Sequence, residues 1–441
     1  MDPEDGFTLV VEVIDELLSK TGSLKGDIAH VATCAFWHSL LGVDADLRPT
    51  TKVFGWADRQ SRKYSSVLRK HFDEAEVHDR TGSRFHSSYW PAKLLWLKKE
   101  FPDIYSGTHK WISFSDLVNM RMCGDLTTSV CMASGTGLLN ISTCTWDTPL
   151  LEYLKLSPKK LPEIEEAHAT TTRLNAKFSK RWPRLKQADW FNAIGDGAAD
   201  NLGSGCVSKS KAALMIGTSG AMRVVYRGSP PRSIPAGLWC YRVDPERTII
   251  GGALSDGGGL YRWLRDNLRL PDDAETEISR RPAAAHGLTF LPFFFGERST
   301  GYQEDAAGAI LGLLQSHDSV DILQAAMESV AFRFAEIYRG LQKVTKVDEI
   351  IASGGALRDS AVWTQMIADV LGRDLILSPA QESSSRGAVL LALETICKIG
   401  YIKTSSGEEK TKHRAKYHVI YKRALRQHRA AYDASMANHS K

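Results

Sequence analysis

Phe191-Asn-Ala-Ile-Gly-Asp-Gly-Ala-Ala-Asp-Asn-Leu-Gly-Ser-Gly-Cys206 carries an apolar lead-in, a Gly-Asp-Gly turn and then a run of small residues that opens a helix. Gly195 and Gly197 let the backbone turn sharply, which sets Asp196 at a helix N-terminus. Taken alone, this is an N-cap aspartate. The next segment changes the reading. Ala212-Ala-Leu-Met-Ile-Gly-Thr-Ser-Gly-Ala-Met-Arg-Val-Val225 reads as two short apolar strands around a Gly-Thr-Ser-Gly turn. A tight glycine hairpin can aim backbone N–H groups at a phosphate. A carboxylate near such a hairpin suits phosphoryl transfer, where a protein supplies position and charge more than covalent chemistry.

Working outward, strands alternate with helices, the pattern of an α/β architecture. Val10, Val13, Ile14, Leu17 and Leu18 fall at helical spacing, so the chain opens on a helix. Ile28–Ala32 and Lys52–Arg59 read as strands, and Ser61–Phe72 and the segment from Pro91 as helices. Leu174–Lys186 is basic and polar, which predicts a surface linker. After the central hairpin come Thr248-Ile-Ile-Gly-Gly-Ala-Leu-Ser-Asp-Gly-Gly-Gly259, a strand and glycine turn, and a buried strand within Leu288–Arg298. Ile322 to Leu341 is a long amphipathic helix. A strand at Val347–Ile351 then meets Gly354-Gly355 and a further helix, the order that brings a helix N-terminus to a phosphate.

With 441 residues the chain has room for two domains. Lys and Arg number 56 against 51 Asp and Glu, a balance that argues against a nucleic-acid partner. The basic residues from Lys410 to Arg429 read as one solvated helix face. None of the seven cysteines has C-x-x-C spacing, so they read as small buried side chains in a reducing compartment, with no metal site. No signal peptide or membrane span is visible, which predicts a cytoplasmic protein.

Four stretches together resemble the FGGY carbohydrate kinases, and most their gluconate-kinase-like branch. They are Gly195-Asp-Gly-Ala-Ala-Asp-Asn-Leu-Gly203, Gly217-Thr-Ser-Gly220, Phe295-Gly-Glu-Arg298 and Ser353-Gly-Gly-Ala-Leu-Arg-Asp-Ser-Ala-Val-Trp-Thr-Gln-Met-Ile-Ala-Asp369. The resemblance implies two ribonuclease-H-like domains of the actin/hexokinase type with a cleft between them. Residues 1–205 would form the sugar-binding domain and residues 206–441 the nucleotide-binding one. It implies ATP with Mg²⁺ as cofactors, and a sugar or sugar acid as the other substrate. A homodimer is compatible with it.

The resemblance casts Asp196 as the base that takes the proton from the attacking hydroxyl, with Asp200 as the fallback. It places Gly217 and Thr218 at a phosphate loop, Gly354, Gly355 and Asp359 on the adenine and α-phosphate side, and Glu297 and Arg298 near the nucleotide. On the sugar side it matches Trp37, His38, Trp56, Asp58, Ser88 and Tyr89. A gluconate carboxylate needs a cation, for which Arg84, His86 and His38 are the candidates.

One departure stands out. The family opens with a β-hairpin bearing an Asp-x-Gly-Thr loop, and this sequence shows no such segment. The two domains of the fold are related repeats, and the second begins with its hairpin near Ala212. Two expectations follow: either the true start lies upstream of Met1, or the first domain is shortened. That raises an alternative: a non-catalytic relative that binds sugar or nucleotide. A third reading, an actin-like polymer, is disfavoured by the matches at Trp37, His38 and Trp56.

Overall fold

The structure, a computed structural model, describes residues 1–165, 171–397 and 409–439. The C-terminal half is built on one seven-stranded sheet. In space its strands run Trp239–Arg242, Arg247–Leu254, Gly220–Arg227, Lys211–Ile216, Glu349–Ser353, Leu375–Leu377 and Lys410–Thr411. The first four pair antiparallel, the next two join in parallel, and the last returns antiparallel.

Alternate residues of a strand face opposite sides of its sheet. Met222 and Val224 therefore meet the helices Gly258–Asn267, Ser319–Leu341 and Ala361–Leu371. Val225 and Ile249 meet the helices Asp196–Gly203 and Ser383–Cys397 on the other side. Helices cover both faces, so these strands read as unbroken apolar runs rather than alternating ones. The helix Ser319–Leu341 starts with a capping box between Asp318 and Asp321 and buries Val330, Phe334 and Ile337. Each such side chain contributes about 1.5–3 kcal/mol by leaving water.

The N-terminal half carries shorter strands. His30–Val31 runs parallel to Asp189–Phe191, whose other edge pairs with Thr171–Thr172. Cys34–Ala35 continues beside Ile194–Gly195, and this pair delivers the chain to Asp196. A separate core of Phe54, Leu68, Trp90, Leu94 and Trp111 holds the helices of the outer lobe.

Three local expectations change. Lys52–Arg59 is mostly irregular, with an isolated bridge from Phe54 to Leu40. The Asp58 carboxylate accepts the Gln60 N–H and folds that end back. Leu174–Lys186 is no surface linker. Phe178 and Trp182, one helical turn apart among the charges, stack at 5.0 Å in the core beneath the first helix. Its Arg181 reaches outward to Asp15. None of the cysteines forms a disulfide among the described residues, and only Cys131, Cys206 and Cys240 are buried as expected: Cys34, Cys123 and Cys144 are half-buried and Cys397 is exposed. No helix among the described residues is long and apolar enough to cross a membrane.

Candidate active site

Asp196 begins the helix Asp196–Gly203, directly after the extended Gly195. Its Oδ1 accepts the Gly197 N–H at 2.8 Å. Both flanking glycines are dictated by close approach. A Cβ on Gly195 would lie 1.9 Å from the Trp37 ring, and one on Gly197 would lie 2.2 Å from Arg223 Nη1. The Asp196 side chain is open to solvent, so no packed apolar group fills the space before it. It still sits in a crowded wall of protein. That crowding pushes its pKa above the ordinary carboxylate value, against the pull of the Arg223 charge.

Trp37 was expected to contact sugar, but it is buried: its Nε1 donates to the Cys131 carbonyl at 3.0 Å. Its ring packs edge-on against Trp239 and Tyr241. Trp37 thus forms the floor beneath the Gly195–Gly197 turn, not a wall of the cleft. Asp200, one helical turn beyond the solvent-open Asp196, is buried and already engaged. It accepts from Arg223 Nη2 at 2.9 Å and from Ser383 Oγ. Sequence reading missed Arg223, although a charge in the middle of the otherwise apolar run Gly220–Tyr226 was the available signal.

Between the halves, His38 has a left-handed backbone (φ 71°) and a buried ring. Its Nδ1 faces the Gly135 carbonyl, and its Nε2 lies 3.2 Å from Arg298 Nη2. Burial, and then the Arg298 charge, hold its pKa well below the usual histidine value. The ring is therefore neutral, donating from Nδ1 and accepting at Nε2. Arg298 also lies over the Trp56 ring, 5.4 Å from its centroid.

Arg298 was expected beside the nucleotide, but it meets the residues predicted for sugar. Glu297, expected there too, is buried and paired with Arg333 and Tyr432. The buried Ser88 and Tyr89 sit behind this wall. Ser88 Oγ donates to the Trp56 carbonyl at 2.8 Å, and the Tyr89 ring lies edge-on to His38. Asp58 stays at the half-exposed rim, bonded to Gln60. Lys93 was unforeseen. Its buried Nζ donates to the carbonyls of His38, Gly55 and Ser88 and so ties the wall together.

Gly217, Thr218, Gly355 and Asp359 line one cavity of about 550 Å³. Gly258 and Gly259 donate to the Gly217 and Thr218 carbonyls at 2.8 and 2.9 Å, which fixes the turn. Gly354 takes φ 98°, and a Cβ there would lie 2.2 Å from the Ile216 carbonyl oxygen. It shapes the turn and leaves the lining to its neighbour Gly355. Tyr261, Arg262 and Arg265, on the helix after the glycine turn, also face the cavity. The strand Gly220–Arg227 links the two regions. It starts at the Thr218 turn, and Arg223 stands beside Asp196 about 10 Å along it.

Among the described residues, no three His, Cys, Asp or Glu side chains converge as a metal cage. One carboxylate nearby is unusual. Asp256, next to the Gly257–Gly258 turn, accepts the Phe294 and Phe295 N–H groups through Oδ2. Its buried Oδ1 has no partner.

Comparison with known proteins gives the family. Residues 1–203 match the N-terminal domain of the FGGY family of carbohydrate kinases, and residues 212–395 match its C-terminal domain. The chain is 27% identical to a gluconokinase of Bacillus licheniformis over 413 residues, covering 90% of this chain and 80% of that protein. It is 22% identical to a xylulose kinase of Staphylococcus xylosus over 396 residues, covering 89% and 81%. It superposes on gluconate kinase from Lactobacillus acidophilus with a TM-score of 0.90 at 27% identity, covering 98% of this chain and 89% of that one. The two-domain actin/hexokinase-like fold expected from the sequence is thereby established. The chain belongs to the FGGY family of carbohydrate kinases.

Proposed function

We propose that the protein transfers the γ-phosphoryl group of ATP to a hydroxyl of a gluconate-like sugar acid, with Asp196 as general base. The observation that carries this reading is the solvent-open carboxylate of Asp196, tied by one strand to the Gly217–Thr218 turn. Residues 1–205 then serve the sugar and residues 206–441 the nucleotide. Trp56 and Asp58 orient the polyol, with His38 behind them holding Arg298 in place. Asp196 accepts the proton as the hydroxyl attacks in line with the phosphorus. Its raised pKa suits that task, because a stronger base competes better for the proton. Gly217 and Thr218 cradle phosphate oxygens, while Gly355 and Asp359 receive the rest of the nucleotide in the adjoining cavity.

A magnesium ion carried on ATP phosphates needs only one or two protein carboxylates. The unpartnered Oδ1 of Asp256 fits that need. Bound there, the ion would neutralise phosphate charge.

A second reading, a sugar- or nucleotide-binding relative with impaired catalysis, is favoured by one observation. Among the described residues, His30–Val31 is paired on one edge only, whereas its C-terminal counterpart Glu349–Ser353 is paired on both. An apolar groove of about 730 Å³ lined by Leu9, Val13, Leu17 and Val389 includes that strand. Assay of the 441-residue chain with ATP against gluconate, xylulose, ribulose and glycerol separates the two readings. Turnover on gluconate supports the kinase. Binding without turnover on all four supports the second reading.

A further inference from the structure

The other cations at the sugar-side wall have partners among the described residues: Arg59 donates to the Glu304 carbonyl, and Arg69 pairs with Glu74. Arg84 pairs with Glu74 and donates to the Ala236 carbonyl. Arg223 is spent on Asp200, and Lys93 on backbone carbonyls. His86 is buried, its Nδ1 engaged with Ser88, and burial followed by the Arg298 charge holds its pKa well below the usual value. His38 is neutral for the same reasons. Of the three cations considered from sequence, none is free to meet a substrate carboxylate.

Arg298 differs. It is half-buried, and no carboxylate pairs with it among the described residues. One Nη donates to His38 and the guanidinium plane rests over Trp56, so the group is oriented but not neutralised. Its partner His38 directly follows Trp37, the residue beneath the Gly195–Gly197 turn, so Arg298 stands on the same side of the wall as the base. A guanidinium presents five N–H donors in a fixed fork that matches a carboxylate.

We propose that Arg298 receives the carboxylate of the substrate, making sugar acids rather than neutral polyols the substrate class. This rests on the kinase reading for its context, but it concerns binding and is tested apart from turnover. The C-terminal half then contributes a substrate contact on the sugar side, so a sugar acid bridges the two halves when it binds.

The test is titration calorimetry of the full chain with gluconate and with sorbitol, which replaces the carboxylate by a hydroxymethyl group. The wild type is expected to bind gluconate at least about 100-fold more tightly than sorbitol. Arg298→Met should erase that difference by weakening gluconate alone. Arg298→Lys should restore part of it as a point charge, and its melting temperature reports whether the fold survives. Equal wild-type affinity for the two ligands would overturn the proposal. So would unchanged gluconate binding in folded Arg298→Met, or equal loss of both ligands in it. Failure of the kinase reading would show instead as gluconate binding without ATP-dependent turnover.

Discussion

Arg223 donates to Asp200 at 2.9 Å, both side chains almost fully buried, and the pair stands beside Asp196. The two charges act oppositely on the base: Arg223 lowers its pKa and Asp200 raises it, with Arg223 the larger. Arg223→Gln should therefore move the acid limb of kcat/KM to higher pH, and Asp200→Asn should move it to lower pH. The check is the pH profile of each variant; shifts of one sign in both would contradict the assignment. Arg223→Gln should also cost about 3–5 kcal/mol of stability, because it leaves a buried carboxylate without its cation.

Lys93→Met should loosen the sugar-side wall. The change strands the carbonyls of His38, Gly55 and Ser88 in a buried setting. Each lost partner costs about 1–3 kcal/mol, offset in part because the buried ammonium no longer needs desolvation. We expect a net loss of about 2–5 kcal/mol in urea unfolding, with a raised KM for the sugar. An unchanged midpoint would show that Lys93 holds nothing.

The helix that starts at Asp196 crosses the helix Ser383–Cys397 at backbone contact. A Cβ on Gly387 would lie 1.8 Å from the Ala199 carbonyl oxygen. Gly387→Ala should cost at least about 2–3 kcal/mol by forcing the helices apart. It should also lower kcat, because it displaces the helix that carries Asp196. The half-exposed neighbour Val389 is the control, since Val389→Ala should stay within about 0.5 kcal/mol. Thermal melts of the two variants decide the point.

Asp256 gives a pH-dependent prediction. Burial raises its pKa to about 7 in the folded chain, only partly opposed by the Phe295 and Phe294 N–H groups. Unfolded, it titrates near 3.9. The folded state therefore holds the proton more tightly, and the ionised form weakens the fold as pH rises from about 4 to about 7. Asp256→Asn should match the wild type near pH 4, gain stability across that window, and keep a constant advantage of up to about 4 kcal/mol above it. If Asp256 also holds magnesium, the same variant should need more Mg²⁺ for half-maximal rate. A stability difference that does not vary with pH would contradict the titration.

The turns were legible in the sequence because glycine and aspartate punctuate it. Gly195, Gly197 and Gly220 stand where a Cβ would clash, and the two turns they mark fall where the pattern put them. The long helix ending at Leu341 and the strand pair around Gly217 were equally plain from periodicity. Side-chain destinations were harder to read. Trp37 and Trp56 look alike in sequence, yet one is floor and the other wall, because burial is decided by partners distant along the chain. The setting of Arg298 was hidden for the same reason: its partners His38 and Trp56 lie more than two hundred residues away. Phe178 and Trp182 were masked by the charges around them, which point outward once the helix forms.

The most direct measurement is the turnover of Asp196→Asn with ATP and gluconate, beside its gluconate affinity by calorimetry. Removing a general base should lower kcat by about 10²–10⁴-fold, while the dissociation constant stays within about threefold because Asn keeps the size and an acceptor. Near-wild-type turnover by Asp196→Asn would contradict the account.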